Sequence, residues 1–149
     1  MDLYQQLIID HSKRPHRVGL RDPFDAEVHH VNPTCGDEIT LRVDVDGTRL
    51  SDVSYDALGC SISVASASML AELLTGEDVE EGRRVYAAIR HMLTSRGEDP
   101  GDEEVIGDAV ALAGVARYPA RVKCALLSWM ALADAMAQSG IDLAEETHV

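Results

Sequence analysis

The sequence predicts an α+β fold in which an N-terminal helix precedes a three-stranded antiparallel meander, with further helices then packed on one face of the sheet. Three observations predict it. Tyr4, Leu7, Ile8 and His11 recur at helical spacing. Ile39, Leu41, Val43 and Val45 alternate with Glu38, Thr40, Arg42 and Asp44, the two-residue period of a half-buried strand. From Cys60 onward no alternating run returns, and the apolar residues recur at helical spacing.

Taken in order, the first helix ends near residue 13, because Lys13-Arg14-Pro15 brings in a residue that has no N–H and disfavours helix before it. Residues 26 to 31 read as a first strand, and the alternating run above is the second. Asp46-Gly47 supplies the positive-φ residues that a tight hairpin needs, so residues 49 to 56 return as the third strand. Residues 60 to 74 form a helix rich in small side chains that stops at Thr75-Gly76. A helix over 78 to 95 follows, with Val79, Val85, Ala88, Ile89 and Met92 facing inward. Gly97 to Glu104 is a solvated acidic loop. A short helical segment near 105 to 114 precedes a long last helix over 119 to 138. Pro119 opens that helix, and Leu126, Trp129, Ala133 and Met136 form its apolar stripe.

The chain has 149 residues and 46% apolar content, enough for one domain over 1–149 with a substantial core. The formal charge of −13, from 26 acidic against 13 basic residues, excludes a phosphate-binding surface and hence a nucleic-acid partner. No apolar run is long enough to span a membrane, and the N-terminus lacks the basic-then-apolar pattern of a secretory signal. Three cysteines cannot all pair within one chain. Reduced thiols fit a cytoplasmic location.

Those cysteines carry the chemistry. Cys35 lies in Asn32-Pro33-Thr34-Cys35-Gly36-Asp37, and Cys60 in Leu58-Gly59-Cys60-Ser61-Ile62-Ser63, where a strand gives way to a helix. Cys124 lies in Arg121-Val122-Lys123-Cys124-Ala125-Leu126-Leu127-Ser128-Trp129. Three thiolates and the carboxylate of Asp37, if they converge, complete a tetrahedral metal shell. The alternative reading of the same residues is three thiols packed as small hydrophobes. A helix N-terminus stabilises the thiolate of Cys60, and Arg121, one turn before Cys124, together with Lys123 does the same there.

Other residues read as structural. His29 and His30 point to opposite faces of a strand, so at most one of them can join a site. His11 packs the first helix against the body. Ser61, Ser63, Ser66 and Ser68 resemble a row of nucleophiles but have no base nearby in sequence, and such small side chains allow helices to pack closely.

Together with Leu3-Tyr4-Gln5-Gln6-Leu7-Ile8-Ile9-Asp10-His11, these motifs resemble the U-type (IscU/NifU-like) iron–sulfur cluster assembly family over nearly the whole length. Lys123 stands where IscU-type chains have histidine, and the stretch between Cys60 and Cys124 is longer than theirs. Both features resemble the SufU branch. The resemblance implies a SufE/NifU-like architecture with a branch-specific insertion over about 75–105. It implies Zn²⁺ held by Cys35, Asp37, Cys60 and Cys124, with Cys35 accepting persulfide sulfur from a PLP-dependent cysteine desulfurase of SufS type. Sulfur then passes to a downstream iron–sulfur assembly complex, and Arg121 stabilises the thiolate or persulfide. One alternative is a scaffold for a [2Fe–2S] cluster, in which iron occupies the site. Another is a structural zinc adaptor without turnover.

Overall fold

The computed structural model describes residues 2–34 and 36–144. Helix α1 (Leu3–Lys13) starts where Asp2 caps it: the Gln5 N–H donates to Asp2 Oδ1 at 2.8 Å, and the Gln5 side chain accepts the Asp2 N–H in return. It stops at Arg14, one residue before Pro15. Tyr4, expected on the inward stripe, is exposed, standing in the wall of an open groove that it shares with Ile62, Ala111 and Val115. Leu7 and Ile8 are half-buried and only His11 is fully covered.

Strands β1 (Ala26–Asn32), β2 (Asp37–Asp46) and β3 (Arg49–Leu58) form an antiparallel sheet in that order. Asn32 pairs with Asp37 at one end and Asp46 with Arg49 at the other, where Gly47 takes φ +65° in the hairpin turn. Register decides which side chains are buried. Ala26, Val28, Ile39, Leu41, Val43, Val53 and Tyr55 enter the core, whereas Arg42 lies on the other face against Glu27, Asp22 and the ring of Phe24.

Helices cover the core face. Helix α5 (Pro119–Gln138) crosses β1 and β2, and α2 (Ser61–Leu74) packs on β3 and α5, with α1 on its far side. Small residues allow this closeness: Ala65, Ser66, Ala67, Ser68 and Ala71 are all buried. Ser66 Oγ donates to the Ala125 carbonyl at 2.6 Å and accepts the indole N–H of Trp129 at 3.0 Å, which satisfies both polar groups inside the core. Helix α3 (Val79–Thr94), capped by Asp78, buries Val79, Val85, Ile89 and Met92 in the same core, with Tyr86 and Leu93 beside them and Ala88 half-buried.

Two details differ from the sequence expectation. The stretch after the acidic loop is a one-turn helix, α4 (Glu103–Ile106), followed by a 3₁₀ segment (Gly107–Arg117), because Gly107 at φ +50° breaks the α-helical ladder. In α5, Leu126 and Ala133 are only half-buried, while Ala125, Ser128, Trp129, Ala131, Leu132, Ala135 and Met136 are covered. The reason is position. This helix lies between the sheet on one side and α2, α3 and the 3₁₀ segment on the other, so its covered surface is wider than one stripe.

The acidic loop keeps Glu98, Asp102, Glu103 and Glu104 in solvent but packs Gly101 beneath Met92, Ile106 and Val110. Asp99 bonds His91 at 2.5 Å and accepts the Gly101 N–H, and these contacts hold its carboxyl below the usual range, His91 contributing most. The two strand histidines diverge as alternation requires. His29 meets Thr40 on the outer face, and His30 bonds Asp134 of α5 at 2.8 Å. No helix among the described residues is long and apolar enough to cross a membrane.

Candidate metal centre

Three elements meet at one end of the sheet. Asp37 opens β2, Cys60 is the N-cap residue of α2, and Cys124 lies early in α5, which begins at Pro119. One oxygen of Asp37 and the sulfurs of Cys60 and Cys124 all lie within 4.8 Å of one another. Cys35, the fourth expected ligand and the expected sulfur acceptor, lies outside the described residues. Its neighbours Thr34 and Gly36 belong to the connection between β1 and β2 that delivers the chain to Asp37.

Asp37 is wholly buried at 0% exposure. Its Oδ1 accepts the Cys60 backbone N–H at 2.8 Å, and its Oδ2 faces the Cys60 sulfur at 3.6 Å. No Lys, Arg or His pairs with it among the described residues. A carboxylate buried without a cation is costly. Bracketed by two sulfurs, it fits a metal ion as its counter-charge.

Gly59 makes room for this carboxylate. Its φ is +149°, and a Cβ there would lie 2.0 Å from Asp37 Oδ1 and 2.7 Å from Asp37 Cγ, so any side chain would expel the group. Ser63, one turn into α2, completes the wall. Its hydroxyl donates to the Cys60 carbonyl at 3.1 Å and stands 3.8 Å from the sulfur. Neither residue was singled out as part of a site from sequence. The only signal for Gly59 is its place immediately before Cys60, which alone does not reveal a close approach.

The two sulfurs differ in access. Cys124 is 4% exposed, its sulfur 3.8 Å from the Ala120 carbonyl of the preceding turn, whereas Cys60 is exposed. The donor set of carboxylate and thiols, in one tight group and partly open, suits a borderline ion such as zinc. Asp37, Cys60 and Cys124 are the described residues that would hold it.

The cations expected near Cys124 point elsewhere. Arg121 is exposed and lays its guanidinium over the Tyr118 ring at 5.2 Å, and Lys123 is exposed beside Asn32, Pro33 and Leu126. The serine row holds one surprise. Ser68 Oγ is 2.7 Å from His11 Nδ1, and His11 Nε2 is 3.0 Å from Asp108, a base and an acid brought in from distant sequence. Ser68 is nevertheless 0% exposed and also accepts the His16 N–H, so no substrate reaches it, and the packing role expected of the row holds for Ser66 and Ser68 but not for the exposed Ser61.

This fold and this thiol-carboxylate corner define a U-type assembly domain, and the chain belongs to the NifU-like N-terminal domain family, whose profile matches residues 3–125. The chain is 41% identical over 137 residues to the zinc-dependent sulfurtransferase SufU of Bacillus subtilis, covering 91% of this chain and 90% of that one. It is also 41% identical over 137 residues to the iron–sulfur cluster assembly scaffold protein IscU of Streptococcus pyogenes, covering 92% and 84%. The crystal structure of a NifU-like N-terminal protein from Brucella abortus superposes with a TM-score of 0.82 at 25% identity, over 91% of this chain and 93% of that one.

Proposed function

We propose that the chain is a zinc-dependent sulfurtransferase of iron–sulfur cluster assembly, taking persulfide sulfur from a PLP-dependent cysteine desulfurase onto Cys35. The observation that carries this reading is the convergence of Asp37, Cys60 and Cys124 within 4.8 Å around a buried carboxylate. Lys123 supports it as well. A scaffold-type site would have an imidazole immediately before the third cysteine, and here an exposed ammonium group stands there.

Zinc bound by Asp37, Cys60 and Cys124, with Cys35 as fourth ligand, would hold the thiols as thiolates and add binding free energy to folding. The chain's own residues do the rest. Asp37 is fixed by the Cys60 N–H and by the space at Gly59. Cys124 is anchored in a buried helix. Cys35, which follows Thr34 in the sequence, is the thiol we assign to leave the metal and react. In the transfer the Cys35 thiolate attacks the outer sulfur of the donor persulfide. The donor sulfur–sulfur bond breaks, the donor thiolate leaves and a persulfide forms on Cys35, with no net oxidation. Arg121, stacked on the Tyr118 ring, would have to swing off that ring to supply a cation for the anionic sulfur.

The partner would dock beside this corner. An apolar groove runs between the end of β1, α3 and α5, with Val31, Pro33, Leu126 and Met130 in it and Arg90 and Lys123 at its edges. One wall comes from the expected insertion over 75–105, which gives that insertion a reason to exist. A downstream assembly complex would accept the sulfur, and reduced thiols of this kind fit a cytoplasmic setting.

The equal identity to a scaffold relative keeps one second reading, a [2Fe–2S] platform. Incubation with desulfurase, PLP and cysteine, followed by mass spectrometry, tests the proposal. A gain of about 32 Da, one sulfur, is expected on Cys35 and absent in Cys35→Ser. An adduct confined to Cys60 or Cys124 overturns the assignment. Visible absorbance from a bound cluster favours the scaffold, and zinc with no persulfide anywhere favours a structural adaptor.

A further inference from the structure

A second cluster of ligating groups lies far from the thiols. His11 on α1, His16 in the loop after it and Glu72 near the end of α2 bring one ring nitrogen each and one carboxylate oxygen within 4.8 Å of one another. Glu72 is twelve residues along α2 from Cys60, about 18 Å at the helical rise, so the two groups are separate sites.

The cluster is built rather than incidental. The His11 and His16 ring centroids are 4.6 Å apart, and His16 Nδ1 meets a Glu72 oxygen. His16 is held at both backbone ends: its N–H donates to Ser68 Oγ at 2.7 Å, and its carbonyl accepts the Tyr55 hydroxyl at 2.7 Å. His11 is 3% exposed, with Asp108 on one ring nitrogen and Ser68 on the other. Whichever nitrogen ligates, the other therefore keeps a partner that fixes ring orientation, the arrangement usual for metal-bound imidazoles. His16 and Glu72 are about half exposed, which leaves an open side for an ion and its waters.

Charge favours a cation here. With neutral imidazoles, Glu72 and Asp108 leave the group formally at −2, on a chain whose net charge is already −13. Two imidazoles and a carboxylate with open positions match Zn²⁺, Co²⁺ or Ni²⁺ rather than the hard cations that prefer all-oxygen shells.

We propose that His11, His16 and Glu72 form a second divalent transition-metal site, free of sulfur, that staples α1 and its following loop to α2. The test uses untagged full-length protein whose thiol site already holds one zinc. Titration with Co²⁺ is expected to fill one further equivalent, with visible d–d bands but no thiolate-to-cobalt charge-transfer band. His16→Gln and Glu72→Gln, both at exposed positions, should each weaken this equivalent at least about tenfold while the first zinc and the circular dichroism stay unchanged. The Cys60→Ser/Cys124→Ser double variant should still bind Co²⁺ at the nitrogen site. Absence of a further equivalent, binding unaltered in both His16→Gln and Glu72→Gln, or a charge-transfer band showing that cobalt has entered the thiol site would each overturn the proposal.

Discussion

Gly59 and Asp37 occupy one another's space: the position a Cβ would take on Gly59 is 2.0 Å from Asp37 Oδ1. Gly59→Ala is therefore expected to push the carboxylate out of its pocket, break its bond to the Cys60 N–H and strain a backbone at φ +149°. The expected result is loss of the thiol-bound zinc and a stability lower by about 2 kcal/mol or more, read from metal content and thermal unfolding. Full zinc occupancy with an unchanged Tm would show that Asp37 does not need this position.

Removing either described sulfur should have a larger effect. Cys60→Ser and Cys124→Ser are each expected to lose the tightly held zinc equivalent and to unfold at lower temperature, because much of a structural site's binding free energy appears as folding free energy. Asp37→Ala should bind more weakly, with water as a replacement ligand. Zinc retained at full occupancy in both cysteine variants would refute a shared site.

The core offers a prediction independent of metal. Ser66→Ala leaves the indole N–H of Trp129, a fully buried side chain, without its acceptor at 3.0 Å. A loss of about 1–3 kcal/mol in denaturant unfolding is expected, with zinc content unchanged. A neutral result would mean that another group or a buried water takes over the bond.

Arg21 grips Asp52 with two bonds, Nε to Oδ2 at 2.9 Å and a terminal nitrogen to Oδ1 at 3.0 Å, tying the segment before β1 to β3. The guanidinium beside it holds the Asp52 carboxyl below its ordinary 3.8, chiefly through the hydrogen bond. A depressed carboxyl contributes stability that is present above the unfolded value and lost as pH falls through the folded one. Asp52→Asn should thus cost about 1 kcal/mol at neutral pH, less in high salt since the pair is partly exposed, and the gap to wild type should close below pH 3.8. Unfolding curves across acid pH would reveal a gap that does not close.

The order of elements was legible because each carries a local physical signature. Alternation over Ile39 to Val45 marks a one-sided strand, Gly47 marks the tight reversal although Asp46 before it still pairs with Arg49, and Pro119 starts a helix that it could not sit inside. Local signatures failed where neighbours outvoted them. Tyr4 has the right spacing but faces an open groove rather than a closed core, and α5 is covered more widely than one stripe because it has partners on both sides.

Sequence alone determined the fold class, the family resemblance and the candidate ligands, Cys35 and, among the described residues, Asp37, Cys60 and Cys124, since these rest on residue type and local motif. Tertiary structure alone decided that those three ligand atoms meet, that Gly59 gives Asp37 its space, and that His16 and Glu72 face His11 across two helices. Each of these is a contact between residues distant in sequence. Such contacts depend on strand register and on how closely small side chains let the helices approach, and no local pattern along the chain encodes either one.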